Sequence, residues 1–338
     1  MTGASKRAIG WLILALAAVA LPWVMPNDYY VTVCALAFIT ALSALGLNLL
    51  TGYTGQLNLA HGPFMAIGAY TVGILTTAHG VPYWIAFVLA GVVTGVLGAL
   101  VGLLSLRLRG HYFAIFTLCV GVILYLIIEK WDTLTGGAVG IMGIPAPPGL
   151  SGYTFETPRA QYYLALVFLA LGLVVMARIT GSLVGRGFVA VRGSEALAQA
   201  IGINLRKTKM LAFVLSVIYA GFAGALYAGQ VRFLGPDLAG QGPTFDQVMM
   251  VLVGGLGTLL GPLVGTLLVT AITQSLQFLQ DYRMVVFGPL LIVLLIFLPR
   301  GLVGTWRYWR ARKQSRAAAA ASATPIATSM AAPGVPHV

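Results

Sequence analysis

Apolar residues run through most of this chain in long unbroken stretches, at about 8–24, 31–50, 60–75, 84–106, 112–128, 162–177 and 210–228. Three shorter pieces follow at 245–253, 262–279 and 284–298, divided by the glycine-rich run 254–261 and the polar group 280–283. The longer stretches approach the ~20 residues that cross a ~30 Å hydrocarbon core. In lipid only helices or closed barrels satisfy their own backbone, and a run that is apolar at consecutive positions is a helix, not a barrel strand. The pattern predicts an all-α polytopic membrane protein with about 8–10 transmembrane helices, some broken or re-entrant. The first run follows Lys6 and Arg7 as a secretion signal would, but Pro22 to Pro26 lacks the small residues of a cleavage site, so it reads as a retained span.

The basic residues orient these spans. With the N-terminus inside, alternation puts 16 of the 20 Lys and Arg on the cytoplasmic side and leaves Lys130, Arg159, Arg232 and Arg283 outside. The basic tail returns to the cytoplasm only if an odd number of crossings follows the outside loop at 232–244. The segment 245–279 is therefore a hairpin, giving ten spans with both termini cytoplasmic. A variant treats 245–253 as a re-entrant half-helix, since nine residues at ~1.5 Å rise do not cross the core. Residues 1–310 form one transmembrane domain with a cytoplasmic loop at 178–209, and 311–338 is a low-complexity tail expected to be disordered.

Composition agrees: 59% hydrophobic and 8% charged leave too little polar surface for a water-soluble globule. The net charge of +12 is spread between spans with no nucleic-acid motif around it. Cys34 and Cys119 lie in apolar runs without metal spacing. None of the five lysines follows a glycine, so no phosphate-binding GxxxxGK[ST] exists and energy must come from a partner. HExxH and GxSxG are absent too, which argues against an enzyme. Asp28, Glu129, Asp132, Glu156, Asp237, Asp246 and Asp281 all read as loop or span-end residues, leaving no mid-span carboxylate for a proton- or sodium-coupled carrier.

The densest polar island lies at 48–63, where Asn48, Thr51, Tyr53, Gln56, Asn58 and His61 interrupt apolar sequence and Gly52, Gly55 and Gly62 permit a break. Two readings stand: a pathway or gate, because broken backbone at membrane depth is tolerated only where it is buried in protein or lines a wet cavity, or a cytoplasmic turn with side-chain helix caps. The run from Gly257 to Gly265 faintly echoes this island, as inverted repeats do. Small residues at 62, 66, 68, 69 and 73, at 91, 95, 98 and 102, and at 221, 224 and 228 read as helix-packing positions. In the loop, Ser194 suits an N-cap with Glu195 at the positive helix end, and Gly202 suits a C′ stop. The result is a short docking helix or an ordinary solvated one.

These segments together resemble the permeases of branched-chain amino acid ABC transporters, in their LivM-like branch. The similarity lies in the run Gly46 to Tyr70 (GLNLLTGYTGQLNLAHGPFMAIGAY), Leu134 to Gly137 with Gly143 to Pro145, Ala200 to Asn204 with Lys209 to Phe213, Ala220 to Tyr227, Gly254 to Gly257, Gly261-Pro262 and Pro299 to Leu302. It covers roughly residues 30–304. It implies an inner-membrane permease that moves branched-chain or similar apolar amino acids inward. Its implied partners are a second homologous permease, two ATP-binding cassette ATPases that hold ATP and Mg, and a periplasmic solute-binding protein; this chain would bind no cofactor. By the same resemblance, Arg192, Glu195, Ala196 and Gly202 belong to the loop that docks on the ATPase, though the Glu195-to-Gly202 spacing is one residue longer than the commonly quoted pattern. Asn48, Tyr53, Gln56, Asn58 and His61 are the candidate substrate path or gate. The alternatives are a related permease for urea or short amides and, from another class, a stand-alone channel or secondary carrier.

Overall fold

The computed structural model describes residues 18–25, 27–105, 110–149, 154–275 and 301–306, with single positions at 16, 108, 309 and 312. The expected span at 284–298, much of that at 8–24 and the tail beyond 312 lie outside the described residues. Helix α1, Asp28–Asn48, starts where Asn27 accepts from the Tyr29 amide and Asp28 meets the positive helix end. It runs on into a π-helical turn, Leu49–Tyr53. Residues 54–60 leave the helix, and α2, His61–Thr77, begins. Next come α3, Tyr83–Ser105, α4, His111–Lys130, and the single turn α5, Asp132–Thr135. Helices α6, Pro158–Gly181, α7, Leu183–Gly193, α8, Glu195–Ala200, and α9, Leu205–Val231, follow. The described chain closes with α10, Gln241–Gly254, and α11, Gly261–Ser275. The described strands are two-residue pieces, β1, Ile141–Met142, and β2, Phe233–Leu234, paired antiparallel.

Five helical segments, at 28–53, 83–105, 111–130, 158–181 and 205–231, are long and apolar enough to cross a membrane. The protein is thus an all-α, multi-pass membrane protein, and these spans extend the sequence-derived boundaries by a few residues at most ends. Helix α9 is central, packed against α1, α2 and α3. The small residues explain how. Each glycine of α3 opens a notch for a side chain of α9: Gly91 for Phe222, Gly95 for Ile218, Gly98 for Val217 and Gly102 for Met210. Where α9 crosses α2 the backbones themselves meet, and a Cβ on Gly68 would strike Gly221 while one on Gly224 would strike the Met65 carbonyl.

Two crossings are only half helical. His61 Nε2 donates to the Ser43 carbonyl at 2.9 Å. Ser43 stands ten residues before Tyr53, so at ~1.5 Å per residue α2 begins about 15 Å in from the Tyr53 end of this continuous helical segment. Its far end reaches the Asp28 side, where Tyr70 Oη donates to the Leu234 carbonyl. The lower half of this crossing is the non-helical segment 54–60. Helix α10 runs the opposite way: Gln247, midway along it, accepts from Ser43 Oγ at 2.8 Å, while its end meets the Asn48 side through Gly257. Residues 233–240 fill the outer half of that crossing. Helix α11 then returns along α1, and Tyr29 Oη donates to Gln274 Oε1 at 2.8 Å. The segment expected as a hairpin is therefore broken at 255–260, with a first arm of 14 residues.

Asp246 reads as a loop or span-end carboxylate, but it lies inside α10 next to Gln247, which bonds Ser43 midway along that helix. The outer part of that crossing is β2 and a 3-10 turn at Pro236–Ala239 in place of α-helix, and this carries the acidic residue inward.

Candidate functional site

The polar island does not lie in a solvated turn. Thr54, Asn58, Ala60 and His61 are buried, Gln56 is half-buried and Gly55 is exposed. Asn58 Oδ1 accepts the Ala60 amide at 3.0 Å, an Asx turn that stops the extended segment and sets the first turn of α2. The Leu59 amide is held by Thr117 Oγ1 of α4 at 3.0 Å. The Gly62 amide, one of the orphan donors of a helix start, is taken by Thr244 Oγ1 of α10 at 3.1 Å. Ser43, Gln247 and Met65 continue the network, since Gln247 Nε2 donates to Met65 Sδ.

Of the five candidate path residues, the structure brings Asn58 and His61 together at the α2 start and gives Asn48 a different task. Asn48 Nδ2 donates to the Thr258 carbonyl and its Oδ1 accepts the Gly257 amide, both at 2.9 Å. Buried and doubly bonded, Asn48 clamps the α10–α11 loop. The echo between the two glycine-rich segments is thus a physical contact: a Cβ on Gly52 would strike the Gly257 amide. Tyr53 ends the π-helical turn and packs half-buried against the core, and Gln56 lies in the extended segment, its amide donating to Leu50 at 3.2 Å.

The loop at 178–209 folds into α7 and α8. Ser194 caps α8 by accepting from Leu197, and Gly202 adopts a φ of +88° just past its end, which glycine tolerates and other residues resist. Ala196 and Gly202 are exposed, and beside them Leu197 and Ile201 are 65% and 67% exposed. Glu195 turns back instead, accepting from Lys209 Nζ of α9 at 2.6 Å. Arg192 also turns inward: its Nη1 donates to the Gly52 carbonyl, its stem lies against Gly55, and Gly257 stands beside its guanidinium. One side chain thus joins the loop to both glycine-rich breaks.

Sequence reasoning missed Thr244, Gln247 and Gln241. A signal was available: Gln241-Gly-Pro243 repeats the pattern of His61-Gly-Pro63, and both triplets open a half-helix. Among the described residues no group of three His, Cys, Asp or Glu is placed to hold a metal.

Broken helices buried in a helical membrane core, beside a loop helix tied to the glycine-rich breaks, are an arrangement by which membrane transporters build a solute path. The chain belongs to the family of branched-chain amino acid transport system permease components, whose sequence profile matches residues 29–295. It is 30% identical over 321 residues to the high-affinity branched-chain amino acid transport system permease protein LivM of Escherichia coli, covering 88% of this chain and 75% of the relative. To LivH of the same organism it is 24% identical, covering 78% and 91% of the two chains. It is also 27% identical to the autoinducer 2 import system permease protein LsrC of an Enterobacter strain, covering 82% and 81%. No solved structure matches it.

Proposed function

We propose that this chain is the translocating subunit of an ABC importer in the bacterial inner membrane, moving branched-chain amino acids inward under the power of separate ATPases. The observation that carries this reading is Arg192. An exposed loop helix is tied through it to the two glycine-rich segments that flank the half-helices, so a push on the loop reaches the path. ATP-driven closure of the ATPases would move α7 and α8 and shift the half-helices between inward- and outward-facing arrangements. The exposed Ala196, Leu197, Ile201 and Gly202 are the docking face. The predominance of basic residues on this side supports a cytoplasmic loop and cytoplasmic termini. A second permease, two ATPases and a periplasmic binding protein complete the assembly; ATP and Mg belong to the ATPases.

The similarity to an autoinducer 2 import permease favours a second reading, a permease for another small polar solute. Purification of the tagged protein from native membranes tests both. Co-purifying P-loop ATPases and a second permease support the importer, and the ligand of the associated binding protein separates amino acid from other solute. A solitary protein without ATPase activity that moves solute alone overturns the proposal in favour of a channel or carrier.

A further inference from the structure

The two half-helices point their N-termini at one another. Helix α2 rises from mid-depth toward the Asp28 side and α10 descends from mid-depth toward the Asn48 side, and their first turns touch through Gly62 and Thr244. Neither N-cap residue, Ala60 or Gly240, contributes a side-chain cap. Pro63 and Pro243 remove one amide from each first turn, and the remaining N–H groups give both ends partial positive charge in a low-dielectric setting.

Buried polar groups at this junction lack partners. Asn58 and His61 are fully buried. The Asn58 carboxamide oxygen is occupied by the Ala60 amide, so its unpartnered Nδ2 is a donor without an acceptor. A carbonyl only accepts, so His61 Nε2 carries the proton toward Ser43, and the unpartnered Nδ1 is an acceptor without a donor. Gln241, the first residue of α10, has both its carboxamide oxygen and nitrogen buried and unpartnered. Buried polar groups are nearly always satisfied, so this clustering at two facing helix ends marks a place where something else completes the bonding. Asp246, two residues beyond Thr244, is turned about 200° from it around α10.

We propose that Asn58, His61 and Gln241, with the first turns of α2 and α10, form the subsite that receives the zwitterionic end of the substrate. The carboxylate is accepted by Asn58 Nδ2, Gln241 and the helix N-termini, and the ammonium by His61 Nδ1. The inference rests on the importer reading above and adds the place and polarity of substrate capture.

The test uses the complete importer in proteoliposomes with its binding protein, labelled L-leucine as substrate and a diazirine analogue of leucine as photoprobe. Asn58→Asp keeps the oxygen that takes the Ala60 amide and replaces the donor with a repelling carboxylate. Gln241→Glu does the same at a helix start, where a negative charge favours folding. Leucine uptake is expected to fall by about ten-fold or more in each variant, as when a polar recognition site is mismatched. In the wild type, photolabelling is expected within residues 58–65 or 241–250, competed by unlabelled leucine and lost in the variants. Uptake that stays near the wild-type rate in the variants that assemble, or labelling confined to other segments, overturns the subsite; if Asn58→Asp does not assemble, Gln241→Glu decides. Wild-type importer that takes up no amino acid refutes the functional reading itself, which normal uptake in the variants does not.

Discussion

The guanidinium of Arg192 donates to the backbone carbonyl of Gly52, across 140 residues of sequence. The residue is exposed enough to be reached from outside the bundle, yet its tip ends between two glycine-rich segments. A loop that only docked a partner would not need this contact; a loop that drives the path would.

Replacing Arg192 with Ala removes the tie while leaving the exposed face of α8 in place. Uptake by the reconstituted importer is expected to fall about ten-fold, corresponding to ~1.4 kcal/mol of lost coupling, while ATP hydrolysis continues. Solute moved per ATP hydrolysed is the measurement, and an unchanged ratio would reject the tie.

Glu195 and Lys209 form an ion pair in which the lysine side chain is 5% exposed. Glu195→Ala leaves a buried ammonium without its partner, at a cost of about 3 kcal/mol. The thermal unfolding midpoint in detergent is expected to drop accordingly, and the swap E195K with K209E to recover much of it. Glu195→Arg places two cations together and is also expected to uncouple transport from ATP hydrolysis. Unchanged uptake in that variant would count against a coupling role for α8.

Asn48→Ala removes both bonds to the α10–α11 loop and buries an unsatisfied Gly257 amide and Thr258 carbonyl. The loss is expected at about 2 kcal/mol. Hydrogen exchange should rise at 255–260 specifically; a uniform change across the protein would show that Asn48 is not a local clamp.

Gly224→Val is expected to abolish a monodisperse product, because even its Cβ would overlap the backbone of α2. Gly187→Ala in α7 is the control. Its nearest neighbour is Thr208 at 3.9 Å, so it should be neutral or stabilising by about 0.5 kcal/mol. Size-exclusion profiles of the two variants make the comparison.

The positions of the five described spans, the cap and stop of α8 at Ser194 and Gly202, and the packing role of the glycine rows were legible in the sequence because each depends on neighbours a few residues away. The sequence also located the island at 48–63, and left open whether it was gate or turn. It misjudged Asp246 because an apolar run of nine residues gives no indication of where along the bilayer normal it starts.

By itself, then, the sequence determined a multi-pass helical membrane protein, its glycine-rich breaks and the loop beside them, since hydropathy and capping are read residue by residue. Tertiary structure alone decided what the polar side chains do. Asn48 meets Thr258 across 210 residues and Gly62 meets Thr244 across 182. Such pairings follow from which helices cross and at what depth, and burial then makes each partner obligatory, because a polar group held away from water must be satisfied by whatever the fold brings to it.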